Sequence, residues 1–153
     1  MIIDEQLLMV GQVLLSLLLG VLLGTERSFA GKRAGMRTFG LVAMGSCLLV
    51  IISTSVSSEF VNITNFDPLR VAAGVIMGIG FLAGGAIFVD KDKAGLTVNG
   101  LTTAAGLWIA SAIGMAVGFE MYMIAILTTF ITIFTFTILL KIENRIRPMH
   151  NDW

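Results

Sequence analysis

Ionisable side chains are scarce in this sequence and sit at the edges of long apolar runs. A charge near lipid costs free energy, so each such group is a candidate for a task or a partner. Glu26 and Arg27 close the first apolar run. The segment from Glu26 to Thr38, with Gly31, Lys32, Arg33, Gly35 and Arg37, makes a compact basic loop able to hold a phosphate or a lipid head group. The same residues read equally as the basic signal of a short cytoplasmic loop. Asp67-Pro68-Leu69-Arg70 reads as a helix start, in which Asp67 caps free backbone N–H groups and Pro68 fits the first turn. Capping leaves Arg70 unexplained, and its partner would be Asp67, Glu120, Glu59 or a lipid phosphate. Asn99 is placed to cap a further helix whose dipole would make a modest anion site. Thr102 and Thr103 are placed to bond across helices, or to serve as ordinary interhelical glue. Trp108 lies too far in for a headgroup anchor and reads as a packing residue.

None of these groups forms a catalytic constellation. Gly31-Lys32 preceded by Gly24 imitates a phosphate loop, but its spacing is wrong and Arg33 replaces the required Ser or Thr. Gly78-Ile79-Gly80-Phe81-Leu82-Ala83 imitates a dinucleotide fingerprint inside an apolar run, with no strand before it. His150 is the single histidine, and Cys47 is the single cysteine and reads as a small apolar core residue. The expectation is therefore a non-enzyme with no cofactor and no bound metal. A formal net charge of zero gives no reason to expect nucleic acid.

The elements that position these residues follow from hydropathy. Hydrophobic residues make up 56% of the chain. A bilayer core needs roughly 20 apolar residues per helix. Five runs qualify, at about 6–25, 38–56, 68–89, 101–118 and 121–140, giving an all-α integral membrane protein with a transmembrane domain over 1–141 and a short cytoplasmic tail over 142–153. Met1-Ile2-Ile3-Asp4-Glu5 lacks the features of a cleaved signal, so the first helix is expected to stay. Arg27, Lys32, Arg33, Arg37, Lys91, Lys93, Lys141, Arg145 and Arg147 fall in alternate segments. Asp4, Glu5, Glu59, Asp67 and Glu120 fall in the others, which puts the N-terminus outside and the C-terminus inside. Asn62-Ile63-Thr64 matches a glycosylation sequon, relevant only in a eukaryotic secretory pathway.

Lipid gives helices no hydrophobic drive to associate, so small residues mark where backbones approach. Gly20 and Gly24 make one ridge, and Gly106, Ala110, Gly114 and Gly118 another. In the third span Gly74, Gly78 and Gly85 lie on one side, with Gly80 and Gly84 well round from them. That helix is expected to be gripped from both sides, at the bundle centre or at a dimer interface. The fifth run, rich in Thr, Ile and Phe, is expected at the periphery. A weak repeat aligns Gly20-x3-Gly24 with Gly80-x3-Gly84, Gly35 with Gly100, Thr38 with Thr103 and Ser46 with Ser111. The two halves would share one orientation, although chance similarity between Gly-rich spans would look the same.

Taken together, four segments resemble the conserved membrane region of the MgtC/SapB family. They are Gly20-x3-Gly24-x-Glu26-Arg27-x3-Gly31-x2-Ala34-Gly35-x-Arg37-Thr38, Asp67-Pro68-x-Arg70-x-Ala72-Ala73, Gly78-Ile79-Gly80-Phe81-Leu82, and Gly100-Leu101-Thr102-Thr103-Ala104-Ala105-x2-Trp108. The resemblance covers roughly 10–120. It implies a bacterial or archaeal inner-membrane protein, linked in the best-known branch to growth in low magnesium, survival in phagocytes and restraint of the F-type ATP synthase. Family members usually read Gly-Phe-Leu-Gly-Ala-Gly where Gly80-Phe81-Leu82-Ala83-Gly84-Gly85 stands here, and often carry a basic residue at the position of Asn99. Longer members also have a soluble C-terminal domain, where this sequence offers a short basic tail. The leading expectation is a regulator of magnesium or energy homeostasis. It would act through contacts with lipids, with a second copy as a dimer, and with another membrane complex such as the ATP synthase. The rival is a small dimeric cation transporter lined by Asp67, Arg70, Glu26, Arg27 and the Thr102 region.

Overall fold

A computed structural model describes residues 2–59, 67–92 and 95–146. The Asn62 sequon, Lys93, Arg147 and His150 lie outside the described residues, as does the side chain of Glu59. Five main helices run in the order α1 (Ile2–Phe29), α2 (Met36–Glu59), α3 (Pro68–Gly85), α4 (Leu101–Gly118) and α5 (Tyr122–Phe134). A hairpin of β1 (Phe88–Asp92) and β2 (Gly95–Asn99) separates α3 from α4. After α5 the chain continues through a π-helical turn, Thr135–Leu139, into α6 (Leu140–Ile146).

Four helical segments are long and apolar enough to cross a membrane: Ile3–Phe29, Met36–Ser57, Leu101–Gly118 and Tyr122–Glu143. The apolar part of α3, Leu69–Gly85, is shorter. The helix stops at Gly85 rather than at 89, because Gly84-Gly85 weakens it and Phe88 onward pairs as a strand. Phe88 and Val89, expected within the third span, instead begin an antiparallel ladder that runs from Phe88↔Asn99 to Asp92↔Gly95. The β-branched Val89, Thr97 and Val98 suit such a ribbon.

The α1–α2 turn is a helix C-cap. Lys32 N–H donates to the Arg27 carbonyl at 2.9 Å and Gly31 N–H to that of Ser28 at 3.1 Å, with Gly31 at φ +65°. A Cβ at Gly31 meets nothing within 4 Å, so the conformation alone selects glycine. Gly31→Ala is therefore expected to cost about 1–2 kcal/mol through backbone strain, and chemical unfolding in detergent micelles would measure it. Met36 N–H then donates to Ser28 Oγ at 3.3 Å, tying the turn to the start of α2.

Glycines set the helix contacts. A Cβ at Gly20 would stand 2.5 Å from the Phe39 carbonyl oxygen, and one at Gly24 2.5 Å from the Met36 Cα, so α1 lies directly on α2. Helices α2 and α4 run side by side in the same direction: Gly106 faces Phe39, Gly114 overlies the Ala43 carbonyl, and Gly118 faces Val50 and the Cys47 carbonyl. Between them Ser46 and Ser111 share a buried hydrogen bond of 2.8 Å. These are the two serines that the weak sequence repeat aligns.

The glycine-rich third helix is not at the bundle centre. Gly74, Gly78, Gly80, Gly84 and Gly85 each face open space within this chain, while Ile79 and Ala83 are buried where α3 packs on α4 and α2. Helix α5 packs at the edge against α4 and α1, burying Ala125, Thr129 and Thr132. Its threonines bond back to their own helix, with Thr129 Oγ1 donating to Ala125 O at 2.8 Å and Thr132 Oγ1 to Thr128 O at 2.7 Å. The outward faces carry Leu14, Leu18, Ile52, Phe130, Ile131 and Phe134. Apolar surface this continuous is stable in lipid rather than water.

Candidate functional site

The sequence candidates separate into two ends of the bundle. At the end formed by the α1–α2 turn and the hairpin, Arg27 is 2% exposed and its Nε donates to the Glu26 carboxylate. Its guanidinium carbon lies 3.7 Å from the centroid of the Phe136 ring. A buried cation needs both partners: the carboxylate balances its charge and the ring face stabilises a desolvated guanidinium. Gly106 makes the arrangement possible, because a Cβ there would stand 2.8 Å from Phe136 Cζ and 3.0 Å from Phe39 Cζ. The π-helical turn brings Phe136, itself buried, to this place. Arg27 therefore belongs to the interior and is not a surface ligand of the basic loop.

Beside this buried pair a cleft of about 550 Å³ opens between the α1–α2 turn, α2, the end of α3, the hairpin and the start of α4. Thr38, Asn99 and Thr103 line it, together with Lys32 and Arg33 at the turn. Arg33 stacks on Phe88 of the hairpin, 4.2 Å from the ring centroid, which joins the two connections. Asn99 does not cap α4. It pairs with Phe88 in the ladder, and Gly100 takes the cap position at φ +93° with no side-chain hydrogen bond. A Cβ at Gly100 would overlap the Ala86 carbonyl, so only glycine brings the start of α4 against the end of α3.

Thr102 is exposed and Thr103 is buried, but among the described residues neither bonds across to another helix. Trp108 is 46% exposed and faces outward rather than packing inside. Arg37 is also exposed. At the opposite end of α3, Asp67 Oδ1 accepts from Leu69 N–H at 2.9 Å, while Arg70 is exposed with no described carboxylate in salt-bridge reach. Asp67 and Arg70 thus do not share a site with Glu26, Arg27 or Thr102. Among the described residues there is no group of three or more His, Cys, Asp or Glu able to hold a metal ion. A second cleft of about 430 Å³ lies near the start of α1, where buried Gln12 donates through Nε2 to Tyr122 Oη at 3.0 Å.

Sequence reasoning missed Phe136 and Phe88, whose rings hold Arg27 and Arg33 from distant parts of the chain, and Phe39, which packs against Gly106. Only the basic loop itself carried a signal.

An all-helical bundle with apolar outer faces, glycine-mediated helix contacts and a buried arginine pair defines a polytopic membrane protein. A family model, the MgtC family, matches residues 13–145, and the chain belongs to that family. An uncharacterised protein of Haemophilus influenzae is 32% identical over 97% of this chain and 59% of its own length. Protein SrpB of Synechococcus elongatus is 36% identical over 93% of this chain and 80% of its own. A protein of Escherichia coli K12 with the name "Putative magnesium transporter YhiD" is 39% identical over 72% of this chain and 51% of its own. The chain thus spans between about half and four fifths of the length of these relatives. No solved structure matches it.

Proposed function

We propose that this chain is a non-enzymatic protein of the bacterial or archaeal inner membrane that regulates magnesium or energy homeostasis through helix contacts. Those contacts would be with a second copy and with another membrane complex, for which the family resemblance suggests the F-type ATP synthase. The observation that carries the reading is α3: Gly74, Gly78, Gly80, Gly84 and Gly85 meet nothing of their own chain, whereas Gly20, Gly24, Gly106, Gly114 and Gly118 are covered. Glycine faces earn their place in lipid by letting another backbone approach. In this reading α3 also crosses the membrane, as the third of five spans, with the N-terminus outside and the C-terminus inside. The contact of Arg33 with Phe88 supports placing both basic connections on one side.

A photo-crosslinking residue at Met77, 76% exposed on α3, tests the proposal. Crosslinks in cells to a second copy or to one membrane complex are expected, and the reading fails if the probe captures lipid alone. The second reading, a small dimeric cation transporter, rests on the name of the Escherichia coli relative. Purified protein in liposomes with a magnesium-sensitive dye separates the two. No flux above empty liposomes is expected, and flux abolished by Asp67→Ala would end the regulator-only reading.

A further inference from the structure

The cleft beside the α1–α2 turn has an uneven chemistry. Its mouth carries Lys32 and Arg33, and among the described residues neither has a carboxylate within salt-bridge distance. Its inner wall is apolar, formed by Val42 of α2, Leu82 of α3 and Leu107 of α4. Thr103, 9% exposed, also lines it and has no hydrogen-bond partner among the described residues. Its hydroxyl is not a buried unpaired group, which among the described residues is Ser53 Oγ, and it can donate to a ligand oxygen in the cleft. The volume, about 550 Å³, falls within the range of small-molecule sites.

From this arrangement we infer that the cleft binds the phosphate of an anionic phospholipid. Lys32 and Arg33 take the charge, Thr103 donates to a phosphate oxygen, and the first part of an acyl chain lies against Leu82 and Leu107. Both features are needed for the choice of ligand. Cations alone would suit any phosphate, but the apolar wall gains from a ligand that carries hydrocarbon. The position at one end of the bundle, where helices give way to turns, is where headgroups lie. Arg33 is already held by Phe88, so one of the two cations is ordered before binding.

Native mass spectrometry of the detergent-purified chain, titrated with phosphatidylglycerol or phosphatidylcholine, tests this. The wild type is expected to bind phosphatidylglycerol preferentially. Each juxtamembrane cation is worth roughly 1 kcal/mol, about fivefold, so the Lys32→Gln/Arg33→Gln double variant is expected to bind roughly 25-fold more weakly. Lys141→Gln/Arg145→Gln, which removes two exposed cations outside the cleft, should leave binding within about twofold of wild type. Gly85→Leu supplies an independent arm. A Cβ there meets nothing within 4 Å, so the helix tolerates it, but the side chain enters the cleft and should abolish the preference. Equal binding of the two lipids overturns the inference, and so does an equal loss in both double variants, which would mean general surface charge. Displacement of the lipid by millimolar inorganic phosphate would assign the cleft to free phosphate and overturn the lipid part.

Discussion

Arg27→Ala is expected to destabilise the folded bundle by about 3–5 kcal/mol, the usual cost of removing one member of a buried ion pair. The Glu26 side chain is 12% exposed, so truncating Arg27 leaves its carboxylate largely desolvated and uncompensated. The Phe136 ring loses its cation at the same time. Arg27→Lys should recover only part of the loss, because an ammonium lacks the planar face that lies over Phe136. The double variant Glu26→Gln/Arg27→Met should lie much closer to wild type, since it removes both charges and keeps the volume. Reversible unfolding in mixed micelles gives the ranking. A single variant Arg27→Ala within about 1 kcal/mol of wild type would mean that the pair does not hold this end of the bundle.

The second large effect is steric. Gly114→Ala places a methyl group into the backbone of α2, where it would overlap the Ala43 carbonyl oxygen and stand 2.7 Å from the carbonyl carbon. A flexible side chain could turn away, but a helical carbonyl cannot. Helices α2 and α4 must therefore separate, straining the Ser46–Ser111 hydrogen bond between them. Overpacking of this kind costs about 1–3 kcal/mol and occasionally more, and backbone on the opposing side puts Gly114 at the upper end. Gly78→Ala on α3 is the matched control. Its Cβ enters open space, so the stability of the isolated chain should change by less than about 0.5 kcal/mol. Thermal unfolding of the two purified variants in the same detergent compares them. Equal losses would show that α3 is covered in solution by something other than its own chain.

These two positions show where sequence reading reaches its limit. Gly78 and Gly114 have the same identity and similar apolar surroundings in the sequence, and both read as contact glycines. Only the packing distinguishes them, because a helical wheel shows which residues share a face but not whether a neighbour occupies it. Asn99 fails as a cap for a related reason. Capping is a local rule, and here it lost to pairing with Phe88, which places Gly100 at the helix start. The basic loop was legible as a charge cluster, yet the division of labour within it was not. Arg27 turns inward to an aromatic ring more than a hundred residues away, while Lys32 and Arg33 stay at the cleft.

By itself the sequence determined that this chain lives in lipid as helices, and which residues allow close approach. Those are properties of composition and of a 3.6-residue period, and each is local. The tertiary structure decided which glycine faces are covered, that the segment after α3 forms a hairpin, and that Thr38, Asn99 and Thr103 share one cleft. Such outcomes depend on which helix lies against which, and that is set by the sum of many weak contacts rather than by any one motif.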